Sequence, residues 1–285
     1  MFLERIVATK REEVAELRQQ LSRAEAERRI AALTTNCQSL SAALTSGRKR
    51  SVGLIAEVKK ASPSKGLIRA DFDPPAIVKD YVAAGADALS VLTDRTYFQG
   101  GNEILQQVRA LTTLPLLRKE FIIDELQILE ARLLGADAVL LIAAILNDDE
   151  LKRMNQLALD LGMEALIEVH DEAELRRVAE LEQVKLLGVN NRNLHTFVTD
   201  ISQTSKLKPL IPEGCVYISE SGIHLPEHLT MLAEIGADAV LVGEHFMRQA
   251  DVRGGVEHLM SGLDARQFAT QELQPGELGI GSQSR

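Results

Sequence analysis

The segment Gly-Ala-Asp-Ala occurs three times, each time at the head of an apolar run. The copies are Gly85–Ala88 before LSVL, Gly135–Ala138 before VLLI, and Gly236–Ala239 before VLVG. The first two lie about 50 residues apart and the third about twice that further on. A recurrence at such a period means that one supersecondary unit has been reused. The glycine suits the left-handed cap that ends a helix. The run after it is short and rich in Val, Leu and Ile, as a strand buried on both faces should be. A helix stop feeding a buried strand is half of a βα unit.

The rest of the chain fits that unit. Apolar runs fall at 52–58, 87–93, 114–118, 137–143, 164–169, 186–190, 215–220 and 238–243. Amphipathic stretches lie between them: one starts near Pro74-Pro75, and others cover 124–134, 148–161, 171–180 and 226–235. Eight strand–helix repeats in little over 200 residues predict a (β/α)8 TIM barrel of class α/β. A doubly wound open sheet is the alternative, but the glycine-rich loop it commonly carries after its first strand is absent. Residues 1–47 read as an N-terminal helical extension, 48–264 as the barrel and 265–285 as a disordered tail. Within the extension, 2 to about 33 is helix-prone, with Phe2, Ile6, Val14, Leu17 and Leu21 at helical spacing, and 34–50 reads as a linker.

Charge and cysteine content narrow the partners. A net charge of -9 argues against nucleic acid and anionic membrane as main partners, so a site for an anion must be built locally. Cys37 and Cys215 have no metal-type spacing and read as reduced thiols of a cytoplasmic protein, with one disulfide between them as the alternative. No stretch is long and apolar enough to span a bilayer, and the mixed charges of the N-terminus do not suit a signal peptide. The histidines, His170, His195, His224, His228, His245 and His258, lack a ligand pattern, because Pro226 interrupts the His224/His228 spacing. No metal is expected.

In this architecture chemistry sits at the C-terminal ends of the strands. Those ends carry Glu57 and Lys59, Lys119, Glu168, Asn190 and Arg192, Glu220 and Ser221, and Glu244. Glu57 and Lys59 are two apart and share a strand face. Lysine and glutamate are rarely buried unless paired, so several of them ending apolar strands need a reason beyond packing. Gly222 and Gly243, after strands seven and eight, leave backbone N–H groups open to a phosphate.

At this point five blocks resemble indole-3-glycerol phosphate synthases. They are Ile55–Gly66, Leu117–Asp124, Leu166–His170, Gly188–Leu194 and Ser219–Ile223, and the resemblance covers roughly 52–250. It implies conversion of 1-(2-carboxyphenylamino)-1-deoxyribulose 5-phosphate to indole-3-glycerol phosphate, with loss of CO2 and water and with no cofactor. By that resemblance Lys119 is the acid at the ring-closing carbonyl oxygen, and Lys59 is a second ammonium. Glu57, Lys59 and Glu168 share the dehydration. Asn190 and Ser221 complete the catalytic set. Ser62, Phe121, Arg192 and Glu220 contact substrate, with Phe121 against the aromatic ring. Gly222, Gly243 and Glu244 lie at the phosphate end. The resemblance also implies that the N-terminal helix partly covers the barrel mouth. The expected partner is a small phosphorylated substrate, and the expected assembly is a monomer or weak homodimer. Leu126, Gly101 and Ser39-Leu40-Ser41 depart from residues common in the family. A Schiff-base aldolase using Lys119 or Lys59, and a non-catalytic phosphate-binding scaffold, remain as competing readings.

Overall fold

In a computed structural model the described residues are 2–193 and 196–263. The tail 265–285, Leu194 and His195 lie outside them. Eight parallel strands close into a barrel: β1 Gly53–Val58, β2 Ala88–Leu92, β3 Leu116–Lys119, β4 Ala138–Ile142, β5 Glu164–Val169, β6 Leu186–Asn190, β7 Val216–Glu220 and β8 Ala239–Val242. Closure comes from β1, which pairs with β8 on one side and β2 on the other. Each strand lies within two residues of its predicted run.

The glycine, the first alanine and the aspartate of the repeat each have a task. Gly85, Gly135 and Gly236 have φ of 82°, 87° and 75°, the left-handed region that glycine enters without penalty. The following Ala86, Ala136 and Ala237 donate their N–H to Tyr81, Ala131 and Leu232, which closes the helix C-terminus. The aspartates clip the start of the preceding strand. Asp87 accepts from Leu54 N at 2.8 Å, Asp137 from Leu116 N at 2.8 Å and Asp238 from Tyr217 N at 3.0 Å. A charged acceptor on a buried N–H is among the stronger hydrogen bonds a protein can make.

The N-terminal region differs from its prediction in two ways. The helix expected over 2–33 is split into α1, Phe2–Gln20, and α2, Arg23–Ala31, because Ser22 caps α2 by accepting from Glu25 N. The expected linker contains a short helix α3, Leu40–Leu44, capped by Ser39. Leu40 and Leu44 are fully buried and pack with Ile55, Ala88, Leu117, Val216 and Ala239, plugging the N-terminal end of the barrel. Glu164, at the base of β5, holds this plug through Ser41 N at 2.7 Å and Ser39 Oγ at 3.1 Å. Thus Ser39-Leu40-Ser41 is a stopper. Leu126 is likewise a packing residue, buried with Leu21, Ala26 and Leu129 beneath α2. Gly101 starts the helix Asn102–Leu111 with extended backbone.

Alternation within the strands sorts the core into two layers. Outward residues such as Leu54, Ala56, Leu89 and Val240 pack under the helices. Inward residues Ile55, Leu117, Leu166, Ile218 and Leu241 fill the barrel. Two residues further along each of these five strands come Glu57, Lys119, Glu168, Glu220 and Gly243. The candidate site residues form the uppermost layer of the barrel interior.

Candidate active site at the barrel mouth

That layer forms the floor of a cavity of about 770 Å³. At its centre Lys119 Nζ lies 2.8 Å from Glu168 Oε2 and 2.8 Å from Glu220 Oε2. Lys59 Nζ pairs with Glu57 Oε2 at 2.5 Å, as their shared face requires. Burial opposes a charge on Lys119, but the carboxylates of Glu168, Glu220 and Glu57 outweigh it and hold the amine protonated, above the ordinary lysine range. The two carboxylates on Lys119 diverge. Burial raises both, but the Lys119 ammonium and His170 pull Glu168 well below the usual range. Glu220 stays raised by burial, with the charge of Glu168 adding to the effect. His170 Nε2 stands 3.4 Å from Glu168 Oε1, and His170 Nδ1 stands 3.2 Å from Glu174. Burial works against the imidazolium, yet those carboxylates push its pKa up to about 10.

Two glycines make room for this arrangement. A Cβ on Gly188 would overlap Glu220 Oε1, and one on Gly243 would overlap Glu57 Oε2. Gly243 therefore has a second constraint beside its place at the mouth, and Gly188, which leaves room for Glu220, is a supporting position that sequence reading missed. A glycine on the inner face of the otherwise apolar LLGVN was the available signal.

The other candidates ring the same cavity. Asn190 accepts from Arg192 N at 3.0 Å. Arg192 reaches across to Glu244 Oε2 at 3.1 Å and approaches Thr199 Oγ1 at 3.3 Å. The structure thus links Arg192 to the end of β8. Burial raises the Glu244 carboxyl, but Arg192, Arg248 and Lys65 lower it further, so it is ionised. Ser221 and Gly222 have φ of 68° and 79°. A left-handed serine is strained, and Asn191 Nδ2 holds its carbonyl at 3.1 Å. Asn191 is buried, bonds Ser219 and Thr204, and is structural. Ser62 Oγ is buried without a protein partner among the described residues, on the cavity wall. The Phe121 ring lies 5.9 Å from that of Phe98, and both line the cavity.

Helix α1 crosses the mouth and contributes Phe2, Leu3 and Ile6 to the wall. Its buried stripe is Leu3, Ile6, Lys10 and Val14. Lys10, which sequence reading missed, is fully buried and pairs with Asp94 at 2.6 Å, Glu13 at 2.7 Å and Glu120 at 2.9 Å. The clue was its register: it is four residues from Ile6 and four from Val14.

His224 and His228 lie closer to the site than their spacing suggested. Their rings meet edge-on at 4.7 Å, and both line the cavity. Among the described residues no group of three His, Cys, Asp or Glu could hold a metal ion, and no helix is long and apolar enough to cross a membrane. Cys37 and Cys215 are free. Cys215 precedes β7 at the base of the barrel, away from the mouth.

Comparison with known proteins agrees over the whole of this region. A family model described as indole-3-glycerol phosphate synthase matches residues 3–259. An indole-3-glycerol phosphate synthase of Geobacillus sp. (strain WCH70) is 48% identical over 264 residues, covering 93% of this chain and 98% of the relative. One from Halalkalibacterium halodurans is 52% identical, covering 75% of this chain and 83% of the relative. Among solved structures, a 3-hexulose-6-phosphate synthase superposes with a TM-score of 0.59 at 13% identity, covering 75% of this chain and all of that one. A tryptophan synthase α-subunit mutant from Pyrococcus furiosus gives 0.57 at 14% identity, covering 75% of this chain and 99% of that one. At such identities these structures speak to the fold alone.

Proposed function

Because this chain belongs to the indole-3-glycerol phosphate synthase family, we propose a division of labour among the residues of its barrel mouth. The protein closes the ring of 1-(2-carboxyphenylamino)-1-deoxyribulose 5-phosphate to give indole-3-glycerol phosphate, losing CO2 and water. It is a carbon–carbon lyase of tryptophan biosynthesis.

The reading rests on one observation: a lysine ammonium held between two buried carboxylates at the cavity floor. Ring closure puts negative charge on the ribulose carbonyl oxygen. Lys119 donates a proton there, and a positioned acid of this kind is worth about 10²–10⁴ in rate. Glu168 and Glu220 orient the ammonium and keep it loaded. Loss of CO2 restores the conjugated ring, and loss of the hydroxyl completes the indole. Lys59 supplies a second ammonium, held by Glu57, and these two share the dehydration with Glu168. The partnerless hydroxyl of Ser62 faces the benzoate carboxylate, with Asn190 and Arg192 alongside. Phe121 flanks the aromatic ring. Ser221, Gly222, Gly243 and Glu244 form the phosphate end, and the Arg192–Glu244 pair runs from there towards the carboxylate that Arg192 orients.

The Schiff-base alternative needs a lysine of lowered pKa. Lys119 is shifted the other way. The free cysteines fit a cytoplasmic protein, which we propose is a barrel of 48–264 with an extension of 1–47 and a monomer or weak homodimer. Sedimentation would settle the assembly.

The test is a fluorescence time course with purified protein and substrate. The chain has no Trp, so an indole signal reports product. Emission that rises with wild type and is lost in Lys119→Met supports the assignment. A flat trace from folded wild type overturns it.

A further inference from the structure

The buried Lys10 has no part in the chemistry above; besides Glu13 of its own helix, at 2.7 Å, it meets two carboxylates that lead to both aromatic walls of the cavity. On one side it meets Asp94 Oδ2. The other oxygen of Asp94 caps the short helix Arg95–Phe98, accepting from Tyr97 N at 2.6 Å and Phe98 N at 3.0 Å. On the other side Lys10 meets Glu120 Oε1, which also accepts from Phe121 N at 2.9 Å. The second oxygen of Glu120 takes Thr93 Oγ1 at 2.6 Å. One ammonium therefore joins the backbone that carries Phe98 to the backbone that carries Phe121.

The arrangement is costly unless it serves something. A lysine in an apolar helix stripe, beside two buried carboxylates, brings a desolvation cost that apolar packing would avoid. What it gains is fixed geometry between two loops that leave different strands. The same helix touches the mouth again through Phe2, whose ring lies 5.6 Å from Tyr97 and 5.4 Å from Phe197. Thr9 Oγ1 adds a hydrogen bond of 2.8 Å to the Tyr97 hydroxyl.

We propose that Lys10 is a positioning residue for the aromatic half of the substrate: by bridging Asp94 and Glu120 it sets the gap between Phe98 and Phe121. The proposal rests on the reading that Phe121 flanks the substrate ring. It makes α1 a working wall of the site as well as a cover.

The test compares Lys10→Met with wild type, both labelled with 4-fluorophenylalanine at the seven Phe positions. The fluorine signals of Phe98 and Phe121 should shift or broaden, while those of Phe72 and Phe246 hold. KM for the substrate should rise about tenfold, the size of a lost aromatic contact. The inhibition constant of inorganic phosphate, which reports the other end of the cavity, should stay the same. Equal weakening of substrate and phosphate, or movement of all fluorine signals together, would reduce Lys10 to a structural role and overturn the proposal. Should Lys10→Met fail to fold, Glu120→Gln keeps the Lys10–Asp94 pair. It should move the Phe121 signal, leave Phe98 in place and still raise KM; an unchanged KM there refutes the proposal. If wild type gives no product, the reaction assignment fails, while the fluorine spectra still decide whether Lys10 sets the gap.

Discussion

The two ends of the barrel use the same residue types to opposite effect. At the base, Asp87, Asp137 and Asp238 accept from strand N–H groups, and Glu164 accepts from Ser39 and Ser41. Each of these four carboxylates takes at least one backbone N–H, fixed by the fold itself, beside side-chain partners such as Arg109 on Asp137 and Arg48 on Asp238. At the mouth, Glu57, Glu168 and Glu220 face ammonium groups on four-carbon stems. Glu220 Oε1 and Ser62 Oγ are buried without a hydrogen-bond partner among the described residues. Carboxylates bound to fixed donors stabilise a structure. Carboxylates paired with ammonium side chains, beside unsatisfied oxygens, mark the candidate site for a ligand.

That contrast can be attacked at several points. The largest effect belongs to Lys119→Met, which should lower kcat by about 10²–10⁴-fold in steady-state assays. The variant should stay folded, because Glu168 and Glu220 can share a proton once the cation is gone. Next comes the base. Asp137→Ala strands the Leu116 and Gln38 N–H groups and unpairs Arg109, so urea unfolding should show a loss of about 3 kcal/mol with kcat/KM little changed. A large fall in activity of folded Asp137→Ala would blur the division between the ends. Smaller again is Gly188→Ala. The added methyl displaces Glu220, and kcat/KM should fall by about 10-fold to 10²-fold, as a misplacement near 1 Å does.

The smallest effect is one of pH. His170 has a folded pKa of about 10 against an ordinary value of 6.5. A raised pKa means that folding favours the proton, so its stabilisation is complete below about pH 6.5 and fades as pH climbs towards 10. Unfolding of wild type and His170→Gln should therefore differ by about 2 kcal/mol in mild acid and converge in alkali. A gap that widens with pH would contradict the pairing with Glu168 and Glu174.

The sequence made the frame legible because its signals are local. A glycine that needs a left-handed cap and a run that needs burial announce a βα unit wherever they occur. Alternation then puts Glu57, Lys119, Glu168 and Glu220 on the inner face by counting alone. What stayed hidden depends on neighbours far along the chain. Leu40–Leu44 is too short to show a period, and its role as a plug exists only once the barrel closes around it. Gly188 is needed because of a side chain on the next strand. Lys10 reads as a solvated charge until Asp94 and Glu120 are brought to it across 84 and 110 residues. The repeat's aspartates were visible, but their task of clipping the preceding strand needed the pairing of strands to be seen.

The most direct test of the contrast is a crossed measurement: kcat/KM and unfolding free energy, each determined for both Lys119→Met and Asp137→Ala. Lys119→Met should lose turnover and keep most of its stability, whereas Asp137→Ala should lose stability and, while folded, keep its turnover. If both variants lose activity in proportion to stability, the two ends of the barrel are not divided in this way.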